Sequence, residues 1–105
     1  MTKEEVVEVE VSLDSKISRY WIVIGDTDVL EPPRKKWKIN LKVGAEHYIG
    51  WWFAGDPGSS YKITLTPATG YEIVAVGKHP IDRKIAKDRF QSSDTLRFFV
   101  IKKED

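Results

Sequence analysis

An extended chain points successive side chains to opposite faces, and a period of two runs through this sequence from end to end. In residues 6–13, Val7, Val9, Val11 and Leu13 alternate with Glu8, Glu10 and Ser12. In residues 37–43, Trp37, Ile39, Leu41 and Val43 alternate with Lys38, Asn40 and Lys42. Each pattern predicts a strand with one dry face and one wet face. Residues 17–25 and 96–103 are more continuously apolar, the pattern of central strands covered on both sides. Residues 46–54, 61–66 and 71–76 complete the set.

Turn chemistry separates these runs at short intervals. Asp14-Ser15-Lys16 divides the first two, and Glu31-Pro32-Pro33 blocks a helix before the third. In the run from Asp56 to Ser60, Pro57 presets φ at the first central position of a turn. Gly58 accepts the positive φ that a type II turn needs next, which predicts a hairpin there. Pro67-Ala68-Thr69-Gly70 marks another break. Ile81 and Ile85 lie four apart, so at most one short helix is expected, near residues 81–89.

The expected fold is all-β: an antiparallel β-sandwich of about seven strands, immunoglobulin-like in its strand spacing. It lacks the cysteines of true immunoglobulin domains, and a small closed barrel is the alternative. Alternation assigns Val9, Val11, Ile22, Ile39, Leu41, Ile63, Leu65, Ile73, Phe98 and Val100 to the core. The length suits a single domain over residues 1–105.

Charge narrows the partners. With 17 basic and 16 acidic residues the net charge is +1, without the basic surplus of a typical nucleic-acid binder, so a nucleic-acid partner is not expected. The absence of cysteine removes disulfides, thiolate nucleophiles and cysteine metal sites. The acidic N-terminal stretch lacks the basic start and apolar centre of a secretion signal. No apolar run is long enough to cross a bilayer. The expectation is a cytoplasmic protein without membrane insertion, secreted only if a leader has been removed.

Catalytic chemistry finds little to work with. His47 and His79 are the two histidines, and neither belongs to a nucleophile motif. Phosphate-loop and dinucleotide patterns are absent as well, so neither catalytic residues nor a cofactor is expected. Asp26, Asp28 and Glu31 offer oxygen ligands in one loop but lack the full ligand set and central glycine of an EF-hand loop. They are read as turn residues, although the sequence leaves open whether they bind a metal. Arg34, Lys35, Lys36 and Lys38 form a basic patch. A solvated strand face accounts for it better than a site for an anion, with Lys38 and Lys42 pairing across to Glu8 and Glu10.

Trp51 and Trp52 carry the sharper signal. Strand parity groups His47, Ile49, Trp51 and Phe53 toward the core, and Tyr48, Gly50, Trp52 and Ala54 outward. Tyr48 and Trp52 then stand about 13 Å apart along the strand, with the bare backbone of Gly50 between them. Such a shelf holds the apolar anchor of a protein or the flat face of a sugar. The expected binding set is Tyr48, Gly50 and Trp52, with Asp56 and Ser59 from the adjacent turn. The functional expectation is a non-enzymatic module that binds a protein partner. A carbohydrate-binding domain is the alternative, and a small metal-dependent enzyme comes third. Oligomeric state is not set by the sequence.

Overall fold

A computed structural model describes residues 5–103, apart from the side chain of Asp28. It contains nine strands: β1 (Val6–Ser15), β2 (Arg19–Ile24), β3 (Thr27–Leu30), β4 (Lys36–Lys42), β5 (Glu46–Ala54), β6 (Ser60–Pro67), β7 (Tyr71–Val76), β8 (Ile81–Lys84) and β9 (Gln91–Lys102). They form two antiparallel sheets, ordered β4-β1-β6-β8 and β3-β2-β5-β9-β7. Both sheets send side chains into one shared core, so the fold is a β-sandwich. The described residues contain no helix, hence none long and apolar enough to cross a membrane.

Alternation builds that core. Val7, Val9, Val11 and Leu13 of β1 are all buried while Glu8 and Ser12 between them are not. Across the gap, Ile22, Ile49, Phe53, Phe98 and Val100 supply the facing layer. Of the core positions assigned by alternation, only Ile39 and Ile73 are partly buried. Both lie on edge strands, β4 and β7, where a neighbour covers one flank alone. One contact between the layers is aromatic. The rings of Phe53 (β5) and Tyr61 (β6) stack at 3.9 Å, and Tyr20 (β2) tilts against Phe53 at 6.0 Å.

The chain changes sheet at every connection between strands except β2 to β3. This corrects the hairpin expected at Asp56–Ser60. The turn itself forms as its residues dictate: Gly58 has φ of 85°, and the Ser59 N–H donates to the Asp56 carbonyl at 3.1 Å. The strands it joins, however, lie in opposite sheets, because each finds better partners than the other. The true hairpin is β2–β3, where Gly25 at φ of 59° opens a two-residue turn with Asp26.

Two short strands, β3 and β8, raise the count from about seven to nine. The second of them occupies the segment with helical spacing. Ile81 and Ile85 are both buried, but Ile81 pairs with Ile63 in a sheet ladder. A separation of four residues puts side chains on one face of a strand as well as a helix. Burial alone cannot tell the two apart.

Candidate functional site

The two outer faces of the sandwich differ in kind. On the four-stranded sheet the outward residues are polar apart from Val6 at the start of β1, and charges alternate across the strands. Glu10 lies opposite Lys38, Asp14 opposite Lys62, and Lys62 opposite Asp82. Lys38 Nζ also reaches Glu8 Oε1 at 3.6 Å. Exposed pairs of this kind add little stability, but they keep the face wet.

The five-stranded sheet turns aromatic and aliphatic residues outward. Trp21 of β2 stands directly opposite Trp52 of β5, and Val23 opposite Gly50. Thr95 of β9 flanks Gly50 on its other side. Farther across, Phe99 of β9 lies opposite Val74 of the edge strand β7. Trp21 and Tyr48 are each 50% exposed, and Val76 is 52% exposed. Polar residues share this face, Arg19, Gln91, Ser93, Thr95 and Glu72 among them, and one small network crosses it: Arg97 pairs with Glu46 at 3.7 Å, and the Tyr48 hydroxyl donates to the Glu46 carboxylate. That bond pushes the Tyr48 hydroxyl pKa up.

Strand β5 resolves its adjacent tryptophans as parity requires. Trp51 is buried, and its indole Nε1 donates to Tyr61 Oη at 3.1 Å. Tyr61 Oη in turn lies 2.7 Å from Ser92 Oγ. Arg83 covers the Trp51 ring at 5.2 Å and bonds Asp94 at 2.5 Å. The Arg83 hydrogen bond holds the Asp94 carboxyl below its usual range. Trp52 points the other way, half-buried, with Nε1 donating to Gln91 Oε1 at 3.1 Å. A second-strand partner thus fixes the indole edge while its neighbourhood stays open.

Gly50 forms the floor of a recess of about 330 Å³ bounded by Trp21, Val23, Trp52 and Thr95. A Cβ at Gly50 would meet Val23 Cγ2 at 3.4 Å and Thr95 Cγ2 at 3.5 Å, so a side chain there fits and fills the floor. Trp52 also borders a second hollow of about 620 Å³, shared with Arg19, Phe90 and Gln91. Phe90 is the most exposed of the large apolar residues, at 69%. Trp21 and the valines of β7 were not legible in β5 alone, because cross-strand register brings them to the same face, and Phe90 meets Trp52 only through the hollow they share.

The remaining expected residues lie elsewhere. Asp56 and Ser59 border a separate polar hollow with Asp14, Ser15 and Lys62, and do not join Tyr48, Gly50 and Trp52. The basic residues also disperse. Arg34 covers the Trp37 ring at 4.0 Å, and Lys35 Nζ donates to the Ser15 carbonyl at 2.7 Å. Lys36 and Lys38 belong to the charged outer face, opposite Ser12 and Glu10. Asp26 sits exposed in the β2–β3 turn and Glu31 is exposed beyond β3, while the Asp28 side chain lies outside the described residues. Among the described residues no three His, Cys, Asp or Glu side chains gather as a metal site.

Both histidines serve the backbone. His47 Nε2 lies 2.8 Å from the Lys42 carbonyl. His79 Nε2 accepts the Leu65 N–H at 2.9 Å, which requires a neutral ring with its proton on Nδ1. Burial lowers the His79 pKa. The unfolded chain therefore takes up a proton near pH 6.5 that the folded ring resists. Stability is full above that pH and falls as acidification proceeds toward the depressed native pKa. Melting temperatures between pH 7.5 and 5.5 should show this loss, and His79→Gln should flatten the slope; an unchanged slope in the variant would assign it to other groups.

The chain matches no protein-family model, no curated protein and no solved structure. The reading of this face therefore rests on its geometry and chemistry.

Proposed function

We propose that the domain is a non-enzymatic binding module that docks a protein partner on the outer face of its five-stranded sheet. The observation that carries this reading is the contrast between the two outer faces, one almost wholly polar and the other rich in aromatic and aliphatic residues. Scattered apolar residues are ordinary on a protein surface, whereas a contiguous apolar patch marks a place of interaction. Tryptophan and tyrosine are also the residues that most often dominate binding energy at interfaces. Trp21, Tyr48 and Trp52 supply anchors, and the Gly50 floor gives an incoming side chain somewhere to sit.

A carbohydrate ligand is the second reading. It is favoured by the recess itself, where an indole fixed by Gln91 stands beside the hydroxyls of Ser93 and Thr95. A sugar ring needs that combination of a flat apolar face and nearby hydroxyl partners.

Panning a displayed library of random peptides against the intact domain separates these readings. Peptides with apolar anchors should be enriched, and Trp52→Ala should weaken their binding about thirtyfold, the equivalent of about 2 kcal/mol. Gly50→Val, which fills the floor, should weaken them too, while Lys38→Glu on the charged face should not. Enriched peptides indifferent to Trp52 and Gly50 would place the docking surface elsewhere. Saturable binding to members of a glycan panel, abolished by Trp52→Ala, would establish the sugar reading instead.

A further inference from the structure

The five arginines of the chain divide by what their guanidinium groups touch. Arg34 covers the Trp37 ring, Arg83 bonds Asp94 and covers Trp51, and Arg97 pairs with Glu46. Arg19 and Arg89 have no ion pair, side-chain hydrogen bond or ring contact among the described residues. Both are exposed, and both line the hollow of about 620 Å³ beside Trp52. Strand register brings Arg19 there, opposite Ala54 on the outer face. Arg89 arrives from the other side, on the segment between β8 and β9.

That segment is held at both ends. The N–H of buried Ile85 donates to the Ser59 carbonyl at 2.8 Å, and its carbonyl accepts the Gly58 N–H at 2.8 Å. Farther on, the Arg89 N–H donates to the Ala86 carbonyl at 3.0 Å, and the Phe90 carbonyl accepts the Gly55 N–H at 2.9 Å. Two unpartnered guanidinium groups are thus set around one hollow in advance, and each presents a planar fork that matches a carboxylate. Asp88 also borders the hollow, but it answers only one of the two charges and makes no ion pair with either among the described residues.

Trp52 is the shared wall between this hollow and the Gly50 recess. From Gly50 to Ala54, the residue opposite Arg19, β5 advances about 13 Å, a distance that an extended peptide covers in about four residues. Residues four apart in an extended chain also point to the same side. We infer that the aromatic face takes an extended acidic segment of a protein partner, with an apolar side chain over Gly50 and, about four residues away, an Asp or Glu carboxylate between Arg19 and Arg89. This deepens the docking reading above and rests on it. The same two charges reject a basic segment of equal shape.

Panning the random peptide library against the intact domain and against the double variant Arg19→Glu/Arg89→Glu reads the preference directly. The wild type should enrich Asp and Glu about four positions from the apolar anchor, and the variant should enrich Lys and Arg there instead. For a resynthesised wild-type peptide, Arg19→Gln and Arg89→Gln should each raise Kd about fivefold. Replacing the carboxylate of the peptide by its amide should cancel both effects. Added salt should weaken the wild-type complex more than that of Arg19→Gln/Arg89→Gln. The glutamine variants decide the matter if the charge reversal disturbs the melting temperature. Peptides that need Trp52 and Gly50 but show no acidic preference, and ignore both arginines, overturn the acidic occupant and leave the docking reading standing. Peptides indifferent to Trp52 and Gly50 as well overturn both. Acidic glycans held through the two arginines, with no peptide enriched, would put a sugar in place of the peptide and overturn it too.

Discussion

Replacing Trp51 by alanine is expected to destabilise the domain by about 3–5 kcal/mol, whereas the same change at Trp52 should cost far less. The two residues are neighbours in sequence and identical in chemistry, so the difference isolates environment. Trp51 is 4% exposed and fills the space between the sheets near Tyr61 and Arg83. Its removal opens a cavity that the stacked Phe53–Tyr61 pair cannot relax into without breaking its own contact. It also takes away the indole donor to Tyr61, although Ser92 remains to partner that hydroxyl. Trp52 loses an outward surface and one bond to Gln91, both in reach of water. Urea denaturation of each variant measures the contrast. Equal losses would mean that Trp52 is covered and that the outer face is not a free surface.

Phe53→Ala should be about as severe, again about 3–5 kcal/mol. Phe53 is completely buried and touches aromatic rings of both sheets, Tyr20 on its own and Tyr61 on the other. Its loss therefore weakens the joint between layers as well as one strand. Phe53→Leu keeps most of the volume but forfeits the 3.9 Å stack. It should recover a large part of the stability, with the residual deficit reflecting aromatic pairing of about 0.5–1.5 kcal/mol. A midpoint of denaturation unmoved by Phe53→Ala would contradict the assignment of this ring to the inter-sheet core.

The sequence exposes the parity of β5 clearly, because two adjacent bulky rings on a strand must part company. That much of the site follows from period two alone. What escapes a strand-by-strand reading is whatever depends on partners. Trp21 belongs to the face only because register sets it beside Trp52, and Val74 only because β7 lies beyond β9. Asp56 and Ser59 fail to join the shelf for a related reason. They follow Trp52 closely in sequence, but the chain rounds the end of the sandwich between β5 and β6 and leaves that face. The hairpin error has the same root: turn chemistry fixes φ at Gly58 but does not choose which strands pair. Strand β3 was within reach, since Gly25-Asp26 is a dipeptide suited to a two-residue hairpin turn. Strand β8 was not, because its isoleucine spacing serves two periodicities equally.

The four tryptophans offer the most direct test of the aromatic face, since they report on three different places. Trp21 and Trp52 stand on the outer face, Trp51 lies in the core, and Trp37 sits on the edge strand β4 beneath Arg34. Their indole N–H resonances can be followed in ¹⁵N-labelled protein during titration with an enriched peptide. The Trp21 and Trp52 signals should move together with saturation while those of Trp37 and Trp51 hold still. Movement of Trp37 with Trp21 and Trp52 unchanged would put the partner at the β4 edge and contradict this.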